Sequence, residues 1–411
     1  MTLPNFEAQL QKYADLIVQV GINVKKGDTV VLQITTEETE LAHHIVATAY
    51  DYGAAQVLVQ WKDDTIERLT LDHADEDRLA EVPDYESKQY EEWLAKKAKR
   101  ISVMSSDPAN LEGIDSKRIA TYQTAQGKLL RPLRQATQAN QVSWTVVAAA
   151  GQKWAEKVFP DLSPADAVDK LWEEIFKTCR IDQEDPIQAW RDHDQKLSAK
   201  AAELNQAQFD HLHYMAPGTD LTIGLPKNHI WYGASSKNAA GETFMANMPT
   251  EEVFTAPDYR RIDGTVVSTK PLSYAGTTLS GMSFEFKDGK VVKAFADEGN
   301  DVLQHLLDTD PGSRSLGECA LVPDPSPISQ SGITFYNTLF DENASDHLAL
   351  GAAYAFCVAD GTEMNQLQLQ EAGLNQSQIH VDFMVGSNQM NIDGVTADGT
   401  IVPIFRAGDW V

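Results

Sequence analysis

The sequence predicts an α/β N-terminal domain, a largely parallel sheet covered by helices over residues 1–210, followed by a β-rich α+β domain over residues 211–411. Three observations carry this prediction. Strand-length apolar runs alternate with helical periodicity through the first half, and two long helical patterns, at about 165–179 and 186–206, close it. From Phe209 onward the chain turns to short runs punctuated by Gly, Asn and Pro.

In the first half, Phe6, Leu10, Tyr13, Ile17 and Val20 recur at helical spacing, and Gly27-Asp28 then opens the strand run TVVLQIT, Thr29 to Thr35. A helix begins at about Thr36, where Glu37, Glu38 and Glu40 complement the positive end of the helix dipole, and ends near Gly53 before the run AAQVLVQW. That is a βαβ unit, and further strand runs at Arg100–Ser106 and Ser143–Ala150 extend it into a parallel sheet. In the second half, SGMSFEFKDGKVVKAFA is a hairpin, because Asp288-Gly289 can take the positive φ angles of a tight turn between alternating flanks. HLALGAAYAF, starting at His347, reads as a helix capped by Asp346, with Tyr354 about two turns on and sharing the face of His347.

Of the 411 residues, 60 are acidic and 34 are Lys or Arg, a formal net charge of −26. Such a chain lacks the basic footprint that nucleic-acid binding requires, and it is repelled by anionic membrane surfaces. No run approaches the ~18–20 apolar residues of a membrane span, and the N-terminus has neither a basic nor an apolar signal region, so a cytoplasmic location is expected. Cys179, Cys319 and Cys357 are widely spaced with no C-x-x-C, which reads as reduced thiols.

Signatures of nucleotide binding and serine hydrolysis, and H-E-x-x-H, are absent. The chemistry must come from dispersed residues. In IHVDFMV, Ile379 to Val385, His380 and Asp382 are two apart on a strand pattern, so imidazole and carboxylate can face one ion. The same spacing in His73-Ala-Asp75 and His211-Leu-His213 has no neighbours that complete a site. Glu318, alone among small and apolar residues in LGECALVP, is costly to bury as an anion without a partner, so it is either exposed or bound to a cation. With His347 and the acids of NMPTEEVFTAP, the second domain holds the ligand mix of a borderline divalent metal.

NMPTEEVFTAPD, GECALVP, FDENASDHLALGAAY and IHVDFMVG, in this order, resemble the thermophilic-type metallo-aminopeptidases, the aminopeptidase T, aminopeptidase S and PepS family, and are most similar to its bacterial PepS branch. The resemblance spans the chain. It implies two divalent ions per chain (Zn, Co or Mn) held by Glu252, Glu318, His347, His380 and Asp382, with Glu342 also in the family pattern and Glu251 the alternative to Glu252. Glu318 is the candidate bridge. Tyr354 matches a family tyrosine at the metals, and its phenol can donate to a developing oxyanion; Glu318 and Glu252 are both open as general base. The implied activity is removal of N-terminal residues from peptides with a free N-terminus, by a homodimer. The competing reading is a small-metabolite or nucleotide-binding protein that uses the N-terminal α/β half. Against it, the loop after the first strand, QITTEE, lacks glycine and carries acids where a phosphate would sit.

Overall fold

A computed structural model describes residues 3–274 and 277–411 of the chain. The chain divides into two compact units, Met1–Asp192 with Ser235–Pro249, and His193–Ala234 with Thr250–Val411. The boundary expected near residue 210 lies just past the helix Pro186–Ala207, whereas the units divide within that helix, and 235–249 belongs with the first unit.

The first unit is built on four parallel strands, β1 (Thr29–Thr35), β2 (Gln56–Lys62), β3 (Lys99–Met104) and β4 (Trp144–Ala148), in the order β2-β1-β3-β4. The connections run through helices such as Thr39–Asp51 and Ser116–Gln138, as parallel strands require. Helix Phe6–Leu16 buries Leu10 and Tyr13 of the predicted stripe, Ile17 is buried in the turn that follows, and the Tyr13 hydroxyl donates to the Ala148 carbonyl at 3.0 Å at the end of β4. Helix Pro164–Thr178 starts where the sequence dictates, with the Ser163 hydroxyl accepting the Asp166 N–H and Pro164 in the first turn. The segment 246–248 borders β4: Val146 donates its N–H to the Ala246 carbonyl and accepts that of Met248. Buried Lys99 pairs with Asp28 at 2.9 Å and with Glu242 at 2.8 Å, which fixes the hairpin Ser235–Lys237/Thr243–Met245 to this unit.

The second unit contains an eight-stranded antiparallel sheet, and the predicted hairpin lies in it as Ser283–Lys287 and Lys290–Phe295, with φ of 48° at Asp288 and 79° at Gly289. A five-stranded antiparallel sheet packs against it. Its strands are β5 (Tyr232–Gly233), β6 (Val253–Thr255), β7 (Leu316–Leu321), β8 (His347–Gly351) and β9 (His380–Met384), ordered β9-β8-β7-β6-β5. The two sheets share one apolar core, in which the rings of Phe284 and Phe383 meet at 4.7 Å between centroids.

One expectation is overturned here. HLALG is the strand β8, not the start of a helix, and Asp346 is no helix cap: its carboxylate accepts the Val322 N–H at 2.8 Å. Tyr354 therefore does not share a helix face with His347. The run alternates small residues with leucines, a period-2 pattern in size that a polarity-based reading takes for a helix. Among the described residues, no helix is long and apolar enough to cross a membrane.

Candidate metal centre

The pleat of the five-stranded sheet sorts its residues onto two faces. Val253, Cys319, Leu321, Leu348, Leu350, Val381 and Phe383 enter the apolar core. The opposite face carries His347, Ala349 and Gly351 on β8, and His380 and Asp382 on β9. Ala349 stands in register between Asp382 on one side and Glu318 on the other, and Gly351 stands opposite His380. Ala320, between His347 and Phe254, is the third small residue on this face. Small side chains in those places leave room above the sheet for the longer polar ones to converge.

Glu318 reaches this face through a bulge. Leu316 pairs with Leu350 on the core side, and strict alternation would turn Glu318 to the same side. Instead the register shifts between Leu316 and Glu318, so that Gly317 is extra and Glu318 pairs with Ala349 on the polar side. Only glycine fits there, since a Cβ at 317 would sit 2.3 Å from the Ala352 carbonyl oxygen and 2.4 Å from that of Gly351.

The side chains meet as two triads. Nε2 of His347 lies 3.1 Å from Oε2 of Glu252 and 3.5 Å from Oε1 of Glu318. Nε2 of His380 lies 3.6 Å from Oε2 of Glu318 and 3.5 Å from Oδ1 of Asp382. Within Glu252–Glu318–His347, and again within Glu318–His380–Asp382, the ligand atoms all lie within 4.8 Å of one another. Glu318 belongs to both and turns one oxygen to each histidine.

The donor set fits divalent cations. Nδ1 of His347 donates to the Ser345 carbonyl at 3.2 Å, and Nδ1 of His380 to the Ala352 carbonyl at 2.7 Å, which directs both Nε2 lone pairs at the carboxylates. Glu252 Oε2 and Asp382 Oδ1 are buried and face Nε2 of His347 and of His380, a costly arrangement unless a proton or a cation lies between them. The electrostatics show a site short of positive charge. Burial works to lower the His347 pKa, yet its bonds to Glu252 and Glu318 drive it well above the ordinary value, and His380, likewise opposed by burial, is driven to about 10, chiefly by Asp382. Burial raises Glu318, against the bond from His347. Divalent ions would supply that charge and take the Nε2 lone pairs in place of protons.

The other residues singled out from the sequence take distinct places. Glu342, in the turn Glu342–Ala344, lies outside both triads, but burial, then Asp382 and Glu252, push its carboxyl well above the usual range, so it stands in the field of the cluster. Glu251 turns to His193, whose Nε2 lies 3.4 Å from its carboxylate, while Glu252 faces His347. The Tyr354 ring lies 5.0 Å from that of His380 and stacks on Phe356 at 5.2 Å. Burial, then Glu318 and Asp382, hold its phenol well above the usual value, so it stays a donor. His211 and His213 pair with Asp210 and Asp220 and join no triad. Sequence reasoning missed Gly317, whose signal was a glycine directly before the isolated Glu318, and Asn343, inside the acidic DENAS run.

Comparison with known proteins gives the family. The family described as thermophilic metalloprotease (M29) matches residues 6–410. Aminopeptidase PepS of Streptococcus thermophilus is 58% identical over 412 residues, covering 100% of both chains. Aminopeptidase AmpS of Bacillus subtilis is 52% identical, covering 99% of this chain and 100% of its own. The solved structure of wild-type AmpT from Thermus thermophilus superposes with a TM-score of 0.93 at 38% identity, over 99% of this chain and 100% of that one. A match from end to end in sequence and in fold places the chain in the thermophilic metalloprotease family M29, the metallo-aminopeptidase family of these relatives.

Proposed function

We propose that the chain is an aminopeptidase that hydrolyses N-terminal residues from peptides at a dinuclear centre, with Glu252, Glu318 and His347 as ligands on one side and Glu318, His380 and Asp382 on the other. The observation that carries this reading is the double role of Glu318, whose two oxygens face two different histidines. A carboxylate so placed would hold one cation with each oxygen. When bound, two divalent ions supply a nucleophilic water at neutral pH and polarise the scissile carbonyl.

The chain's own residues do the rest. Backbone carbonyls of Ser345 and Ala352 hold the imidazoles in one tautomer. The proton of the attacking water passes to a carboxylate of the cluster, Glu318 or Glu252. Tyr354, protonated at working pH, donates to the developing oxyanion. Glu342 adds a carboxylate just outside the triads, able to ligate or to pair with the ammonium of the substrate, and that preference for a free amine makes the enzyme an exopeptidase. The reading includes a cytoplasmic homodimer; the three buried, unbridged cysteines suit a reducing compartment, and sedimentation checks the dimer.

Chelator treatment should abolish cleavage of an aminoacyl chromogenic substrate, and Zn, Co or Mn should restore it. The N-acetylated substrate should resist cleavage throughout. Folded protein that turns over the free-amine substrate equally well after complete removal of metal refutes the reading, and so does cleavage of the acetylated one at a similar rate.

A further inference from the structure

Asn343 joins two acidic segments of the centre. It is fully buried, and both ends of its amide are engaged: Oδ1 accepts the Glu251 N–H at 2.8 Å, and Nδ2 donates to the Leu339 carbonyl at 3.0 Å and to Oε1 of Glu342 at 3.4 Å. The first bond fixes the Thr250–Glu251 peptide, one residue before Glu252. The last is the one hydrogen bond that the Glu342 carboxylate accepts among the described residues. A single amide thus sets the backbone of one carboxylate and the head group of another.

The two triads differ in their need for such support. His380 and Asp382 stand two apart on the regular strand β9, and the ladder to β8 spaces them. Glu252 precedes the short strand β6; its Oε2 faces Nε2 of His347 at 3.1 Å, and it shares the cluster with Glu318 and Glu342, which it repels as like charges. At low effective dielectric that repulsion is strong enough to displace an unsupported carboxylate. A ligand must be held within about 0.5 Å of its working place before the ion arrives.

We propose that Asn343 is a positioning residue for the Glu252–Glu318–His347 triad, setting the affinity for one of two ions and leaving the Glu318–His380–Asp382 triad as it is. This rests on the dinuclear reading above. The test uses the full chain, stripped of metal and titrated with Zn against a chromophoric chelator, as wild type, Asn343→Ala and Asn343→Asp, with unfolding of the metal-free proteins followed in parallel. Both variants should weaken one equivalent by about 10–100-fold, the range for lost outer-shell partners of metal ligands, with the other equivalent unchanged. Equal weakening of both equivalents, in step with a lower unfolding temperature, would mean a merely structural residue and overturn the proposal, as would two equivalents bound as in wild type. Should the alanine variant fail to fold, the aspartate variant, close in shape and retaining an acceptor for the Glu251 N–H, carries the same test. Wild type binding fewer than two equivalents would instead refute the dinuclear reading.

Discussion

The parallel sheet of the first unit and the five-stranded sheet of the second are both rich in apolar residues, yet they use their two faces differently. In β1, Val30, Val31, Leu32 and Ile34 are all fully buried, and the polar row that crosses the sheet, Gln33 between Gln60 and Ser102, is made of neutral amides and a hydroxyl that hydrogen-bond to one another and offer no imidazole or carboxylate. In β9, Val381 and Phe383 enter the core while His380 and Asp382 face the other way. The first unit also buries an acid: Glu38, just beyond β1, is pushed up to about 8 by burial, then by Glu37 and Glu40. Its charged neighbours are more acids, whereas Glu252 and Glu318 meet imidazoles. A buried carboxyl points to a metal only where donors of another kind converge on it.

The sharpest way to break this contrast is Glu318→Gln. It turns one of the two shared oxygens into an NH2 that cannot ligate and removes the carboxylate charge, so turnover and at least one equivalent of bound metal should fall below detection while the circular dichroism spectrum stays that of the wild type. Metal retained at two equivalents would remove Glu318 from the bridge. A smaller effect is expected of Tyr354→Phe, which takes away one donor and no ligand: kcat should drop by about 10²–10³-fold with metal content unchanged. Loss of metal in that variant would mean that the phenol supports ligands, not the transition state.

The mildest change tests the acid of the first unit. Because the folded-state pKa of Glu38 is raised from about 4.5 to about 8, the folded state holds its proton where the unfolded chain has lost it. Its contribution to stability is whole below about 4.5 and is lost as pH rises through about 8. Glu38→Gln cannot ionise, so its unfolding temperature relative to the wild type should rise steadily from pH 5 to pH 8, with metal content unaltered. A constant difference across that window would show that Glu38 titrates normally.

Much of the architecture is legible in the sequence because it rests on short-range patterns. TVVLQIT and its successors give the parallel sheet, Asp288-Gly289 gives the hairpin, and the alternation around His380 and Asp382 shows one half of a site. His347 was recognisable as a ligand candidate by resemblance, but its strand was not, since in HLALG the alternation is between Leu and small residues, and Ala and Leu are among the strongest helix formers. The convergence of Glu252, Glu318 and His347 depends on ladders between strands far apart in the chain, and no local pattern encodes them. Asn343 was illegible for the same reason: its partner Glu251 is 92 positions away.

Gly317 carries one more consequence. The bulge acts as a frameshift within the strand: upstream of it the core residues fall in one parity, as Leu316 does, and downstream in the other, as Cys319 and Leu321 do. Removing Gly317 outright would let Leu316 and Glu318 alternate in an ordinary ladder, each still on its own face. Keeping the residue but adding a methyl group forces it against two carbonyl oxygens. At this one position the chain should tolerate a shortening better than the smallest possible substitution.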